Sequence, residues 1–190
     1  MLPMLKRHLE PVPEDAAELQ RLLDGVARGE RAARGQFFDR YEAEVNRLVW
    51  SLLGADADHD DIVQDTFQSL FHGAQGVKSI SALRGWVRTV TVNCVRQVLR
   101  RRRWLRIFTD ASEGLNHPDL RIADEDTRER ARHLWRRLQR LNERDRLVLV
   151  LRHIEGYELT ELAEAMSCSL ATVKRWLAAA EEHLSQENDV

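Results

Sequence analysis

The apolar residues of this chain recur three and four positions apart, and that spacing restricts the fold to packed helices. The plainest case is Phe37, Phe38, Tyr41, Val45, Leu48, Val49 and Leu52, one continuous face closed by Gly54, a helix stop. Leu19, Leu22, Leu23 and Val26 predict an earlier helix from Asp15, weakened near its end by Gly25 and Gly29. A third helix follows Asp56 to Asp61, with Ile62, Val63, Thr66, Phe67, Leu70 and Phe71 on its apolar face. A loop from about His72 to Ser79 leads into a long fourth helix, which turns Leu83, Trp86, Val87, Val90, Cys94, Val95 and Val98 inward. For Trp86 this spacing favours a place in the core. Nine Gly and four Pro in 190 residues are too few for a fold rich in tight turns.

Periodicity disappears between residues 104 and 127, where Gly114, Pro118 and several acids mark a linker. It returns in helices expected over 128–141, 143–154, 158–166 and 170–185. The fold class is therefore all-α, with two small helical domains joined by a flexible linker. The boundaries are a lead-in over 1–14, a first domain over 15–104, the linker over 105–127 and a second domain over 128–190.

The net charge of −2 conceals blocks of one sign. No Lys or Arg occurs from Leu48 to Val77, where Asp56, Asp58, Asp60, Asp61 and Asp65 cluster. No Asp or Glu occurs from Thr66 to Thr109, a stretch carrying Lys78, Arg84, Arg88, Arg96, Arg100, Arg101, Arg102, Arg103 and Arg106. Guanidinium groups repeated along one helix suit a phosphate backbone. The bland alternative pairs them with the acidic linker. The aspartates suit a helix N-terminus, where the macrodipole is positive. Carboxylates repel DNA, so as a docking face they suit a basic protein surface.

Glu158 to Ser185 reads ELTELAEAMSCSLATVKRWLAAAEEHLS, the pattern of a helix-turn-helix. Leu159, Leu162, Ala163 and Met166 form the inner face of its first helix, and Val173, Leu177, Ala180 and Leu184 that of its second. Ser167, Cys168 and Ser169 make the turn, with Ser169 as N-cap. Ala171, Thr172, Lys174 and Arg175 are left outward at the start of the second helix, the part that reaches base edges in a major groove.

The segments DHDDIVQDTFQSLF (Asp58 to Phe71) and LRGWVRTVTVNCVRQVLRRRRW (Leu83 to Trp104) resemble region 2 of bacterial sigma factors. LQRLNERDRLVLVLRHIEGYELTELAEAMSCSLATVKRWL (Leu138 to Leu177) resembles their region 4. Both, in this order across a short linker, resemble the extracytoplasmic-function group of the sigma-70 family. That resemblance implies an alternative sigma factor, binding core RNA polymerase and directing promoter recognition and transcription initiation. Asp60, Asp61, Val63, Gln64 and Asp65 would grip the β′ clamp helices, and the β flap is a further expected contact. The loop His72 to Ser81 and the helix from Arg84 would melt the minus-ten element. Lys78, Arg84, Arg88, Asn93, Arg96, Arg100, Arg101 and Arg103 would contact it, with the Asn93 amide able to read an unpaired base. Ser169, Thr172, Lys174 and Arg175 would face the minus-thirty-five element. An anti-sigma factor is a possible further partner.

Two departures from the family pattern bear on that last role. Ser167 stands where Gly is usual, and Trp176 where Arg is common. From Glu155 onward eight acids face only Lys174 and Arg175, so the second domain alone should bind DNA weakly and rely on tethering to polymerase. One expected control is occlusion, with the acidic linker and tail folded onto the arginine helix.

No cofactor or metal and no enzymatic activity is expected. Cys94 and Cys168 have no metal-ligand spacing and suit a reducing cytoplasm. Met1 to Pro13 lacks a signal-peptide core, and no apolar run is long enough to span a membrane. Two other readings compete. One is a stand-alone helix-turn-helix regulator that never touches polymerase. The other is a His-Asp metal phosphohydrolase built on His59, Asp60 and Asp61, whose chemistry needs further converging ligands.

Overall fold

A computed structural model describes residues 16–54, 56–105 and 125–186. The first four helices are α1 (Ala16–Ala27), α2 (Arg31–Leu53), α3 (His59–Gly73) and α4 (Leu83–Leu105). Short 3-10 turns at Ala74–Gly76 and Ile80–Ala82 occupy what the sequence predicts as loop. Then follow α5 (Glu125–Arg140), α6 (Glu143–Leu149), a π turn at Val150–Ile154, α7 (Leu159–Ala165) and α8 (Leu170–Gln186). Most of the expected linker, and the acidic tail beyond Gln186, lie outside the described residues, as does the occlusion expected of them. Among the described residues no helix is long and apolar enough to cross a membrane.

The first four helices bury the stripes that periodicity marks. Phe37, Val45, Val49 and Leu52 from α2 meet Ile62, Phe67 and Leu70 from α3. The buried face of α4 is rotated from the expected one: Leu83, Val87, Thr91, Val92, Val95 and Leu99 are buried, while Trp86, Val90, Cys94 and Val98 are half-buried. Thr91 escapes a pattern based on apolar letters because it is polar. Its hydroxyl donates to the Val87 carbonyl at 2.8 Å, which removes the cost of burying it. Trp86 lies half-buried with its ring over Gly73, in keeping with the core position its spacing favours.

The second helical group buries Leu138, Leu147, Val148, Leu151, Leu162, Ala165, Val173 and Ala180. Asn142 caps α6, its side chain accepting from the Asp145 amide at 3.0 Å. At the end of α6 the backbone loosens into the π turn, where the Glu155 amide donates to the Val150 carbonyl at 2.9 Å. Gly156, at φ 72°, then reverses the chain.

The two groups are in contact. Helix α7 lies against α4, and the π turn against α2. Trp135 of α5, 7% exposed, covers Gly54 at the end of α2. One contiguous apolar core therefore runs through both.

Candidate nucleic-acid interface

The aspartate block divides into two sets. Arg102, near the end of α4, reaches back to the loop before α3. It ion-pairs with Asp56 through both terminal guanidinium nitrogens, Nη1 and Nη2, and its Nη2 lies 2.7 Å from Asp58. Burial would push the Asp56 carboxyl up, but Arg102 and the Asp58 amide outweigh it and hold the carboxyl below the ordinary value. Arg102 thus offsets the charge of Asp56, while Asp58 shares the same guanidinium and stays exposed. Asp60, Asp61, Gln64 and Asp65 are exposed on α3, and no cation among the described residues pairs with the three aspartates. Val63 is 7% exposed and packs in the core, on the apolar face where its spacing places it. The 3.6-residue period that turns Asp60 and Gln64 outward turns Val63 inward, so it supports the surface from beneath.

His59 is buried at the head of α3, stacked on Trp50 with ring centroids 4.7 Å apart. Its Nε2 lies 2.9 Å from Asn46 Oδ1, and the Asn46 amide nitrogen donates to Glu42. His59 Nε2 is therefore the donor. Burial lowers its pKa and keeps the ring neutral. Among the described residues no group of three or more His, Cys, Asp or Glu is arranged to hold a metal.

The cations of the first domain are not equally available. Lys78, Arg100 and Arg101 are exposed. Arg84 donates from Nε to both carboxylate oxygens of Glu44 at 3.1 Å. Arg88 is enclosed: Nε lies 3.6 Å from Glu44, Nη2 donates to the Glu155 carbonyl at 3.1 Å, and the guanidinium sits 4.2 Å from the Tyr157 ring centroid. Arg96 bridges the Asn93 amide oxygen at 3.2 Å and the Ala165 carbonyl at 3.3 Å. Arg88, Asn93 and Arg96 are therefore engaged with the second helical group or with each other. The side chain of Arg103 lies outside the described residues.

Glu155, Tyr157, Glu44 and Arg47 are the residues that sequence reasoning passes over. Glu155 has a side chain 1% exposed. Its carboxylate accepts from Arg47 Nη1 at 2.5 Å and from the Ser51 hydroxyl, both on α2. Tyr157 is buried, and that burial raises its phenol pKa. The only local sign of this cluster is an acid followed by Gly at a helix end.

In the helix-turn-helix, Met166 caps the end of α7 and Ser167 adopts φ 52°. This is the left-handed conformation that Gly adopts without steric penalty, which accounts physically for the family's usual glycine there. Ser169 Oγ accepts from the Thr172 amide at 3.2 Å and lies 2.8 Å from the Thr172 hydroxyl, so each occupies the other. Lys174 and Arg175 are exposed on the first two turns of α8. Trp176 is half-buried against the core, with the Arg144 guanidinium 5.5 Å from its ring centroid.

This geometry joins one exposed acidic edge, one guanidinium-rich helix and one helix-turn-helix. Residues 37–105 match the family model for sigma-70 region 2, and residues 131–184 that for sigma-70 region 4. The chain is 28% identical over 166 residues to the ECF RNA polymerase sigma factor SigM of Mycobacterium tuberculosis, covering 87% of this chain and 82% of that one. It is 25% identical over 181 residues to the ECF RNA polymerase sigma-E factor of Escherichia coli, covering 88% and 93%. In fold it resembles the sigma factor RpoE solved in complex with the anti-sigma factor NepR from Bartonella quintana. That likeness has a TM-score of 0.65 at 19% identity, over 82% of this chain and 96% of that one. With both region models matched in order, and relatives of this kind along most of its length, the chain belongs to the extracytoplasmic-function group of the sigma-70 family.

Proposed function

We propose that the chain is an alternative sigma factor, which binds core RNA polymerase and directs promoter recognition and transcription initiation. One observation carries the reading. Exposed carboxylates on α3, unpaired among the described residues, stand in the same domain as the guanidinium-rich α4, and a helix-turn-helix follows. A DNA-binding module alone has no use for the acidic edge, since it repels the phosphate backbone. Asp60, Asp61, Gln64 and Asp65 would dock on the basic β′ clamp helices. Lys78, Arg84, Arg100 and Arg101 would hold the minus-ten strand from the domain over 15–104. Lys174 and Arg175, with Thr172 and Ser169 at the helix start, would face the minus-thirty-five element from the domain over 128–190, which would also meet the β flap. The factor would act in the cytoplasm, without catalytic chemistry of its own, and an anti-sigma protein would compete for the same surfaces.

Run-off transcription with core polymerase on a fragment library tests the whole reading. The expected result is start sites that depend on the factor. Asp60→Lys with Asp61→Lys should lower affinity for core at least about tenfold, as reversing charges at a complementary interface does, while leaving the helical content unchanged. A wild-type chain that binds DNA but not core polymerase would establish the stand-alone regulator instead.

A further inference from the structure

One cation beside the recognition helix comes from another helix. Lys174 and Arg175 are the lysine and arginine of α8, and Trp176 follows them. The indole is half-buried, and the guanidinium of Arg144, from the start of α6, lies 5.5 Å from its ring centroid. Trp176 stands one turn along from Thr172 on the same side of α8. Arg144 therefore flanks the first turns of the helix proposed to enter the major groove.

The side chain of Arg144 is fixed in direction. Its Nε donates to Asp145 Oδ1 at 2.9 Å, and Nη2 lies 2.8 Å from the same oxygen. The other oxygen of that carboxylate is held by Asn142 at 2.7 Å and His183 at 2.6 Å, so the anchor itself cannot swing. The indole adds the attraction of an aromatic face for a cation within about 6 Å of its centroid. A guanidinium has five N–H groups. Asp145 takes one from Nε and one from Nη2, and among the described residues no bond occupies Nη1 or the second hydrogen of Nη2. That outer pair fits two oxygens of a phosphate. The Arg144 side chain is 44% exposed and that of Asp145 0%, so an approaching phosphate meets the cation before the carboxylate.

We propose that Arg144 is a phosphate-binding residue of the minus-thirty-five contact, a cation supplied to the recognition helix from α6. Trp176 and Asp145 aim it, so little rotamer freedom is lost when it binds. The promoter setting rests on the sigma reading; the phosphate contact itself does not.

The test is the salt dependence of holoenzyme binding to a promoter taken from the run-off library. Arg144→Ala should lower the slope of log K against log salt by about one, as withdrawing one cation from the phosphate backbone does. Affinity should fall alike across promoter sequences. Arg144→Lys should keep the slope. Combining Arg144→Ala with Trp176→Arg should restore it, because the new guanidinium rises from α8 where the old one lay. A purely structural Arg144 predicts a lower melting temperature for Arg144→Ala with the slope intact. That result overturns the contact, as does a slope lost equally in Arg144→Lys or not regained by the folded double variant. Failure of the wild type to bind core polymerase overturns the sigma reading instead. The same comparison then runs on the full-length chain with a mixed-sequence duplex at low salt, where a loss of about one unit supports the contact and no loss overturns it.

Discussion

Asp145 shows how a single residue can hold the second domain together. It has no exposed surface, yet its carboxylate accepts from Asn142 at 2.7 Å, from Arg144 at 2.9 Å and from His183 at 2.6 Å. It thereby ties the start of α6 to the far end of α8. Burial pushes its carboxyl up, but those hydrogen bonds outweigh burial, and the folded pKa lies below the ordinary aspartate value. The sign follows by linkage. A depressed folded pKa gives stability that is complete above the unfolded value of about 3.9 and is lost as pH falls through the folded one. Asp145→Asn should therefore cost about 2 kcal/mol at neutral pH, the scale of hydrogen bonds to a buried charged acceptor. Urea titrations at pH 7 and pH 3 should show the gap between wild type and variant shrinking in acid. A gap of equal size at both pH values would remove the carboxylate's charge from the account.

At the scale of the element, α8 is sparse in cations for the recognition helix proposed above. Trp176 stands where a cation is common in the family and turns toward Arg144 and the core. Thr172 and Ser169 are bonded to each other. Lys174 and Arg175 are the exposed cations of the helix. Replacing both with Ala should weaken holoenzyme binding to promoter DNA almost uniformly across sequences. The slope of log K against log salt should fall by about two, one for each cation withdrawn from the phosphate backbone. An unchanged slope would mean that this helix does not meet phosphates. Helices of this kind were readable in the sequence because each is written locally. The 3.6-residue period marks its face and caps such as Ser169 mark its start, so the boundaries of α8 fall within one residue of the expected 170–185. Thr91 and the π turn were less legible. The first is a polar letter satisfied by its own helix, and the second is a backbone register that no side-chain pattern spells out.

At the scale of the whole molecule, local patterns give no guidance. Arg47 and Glu155 lie 108 positions apart. Charge blocks showed where cations concentrate, but not that a carboxylate from the other domain would bury itself beside them. Trp135 on Gly54 belongs to the same class, and it supplies a test of how the domains stay together. Gly54 has φ 75°, and a Cβ at that position would overlap the indole of Trp135. Gly54→Ala therefore adds backbone strain at the end of α2 and displaces the ring that covers it. The two effects together should cost about 2 kcal/mol in a denaturant titration. If Trp135 helps hold the domains together, the same substitution should also enlarge the radius of gyration from small-angle scattering. Destabilisation without that change would confine Trp135 to supporting α5 and leave the contact between the domains to the cluster around Glu155 and to the packing of α7 on α4.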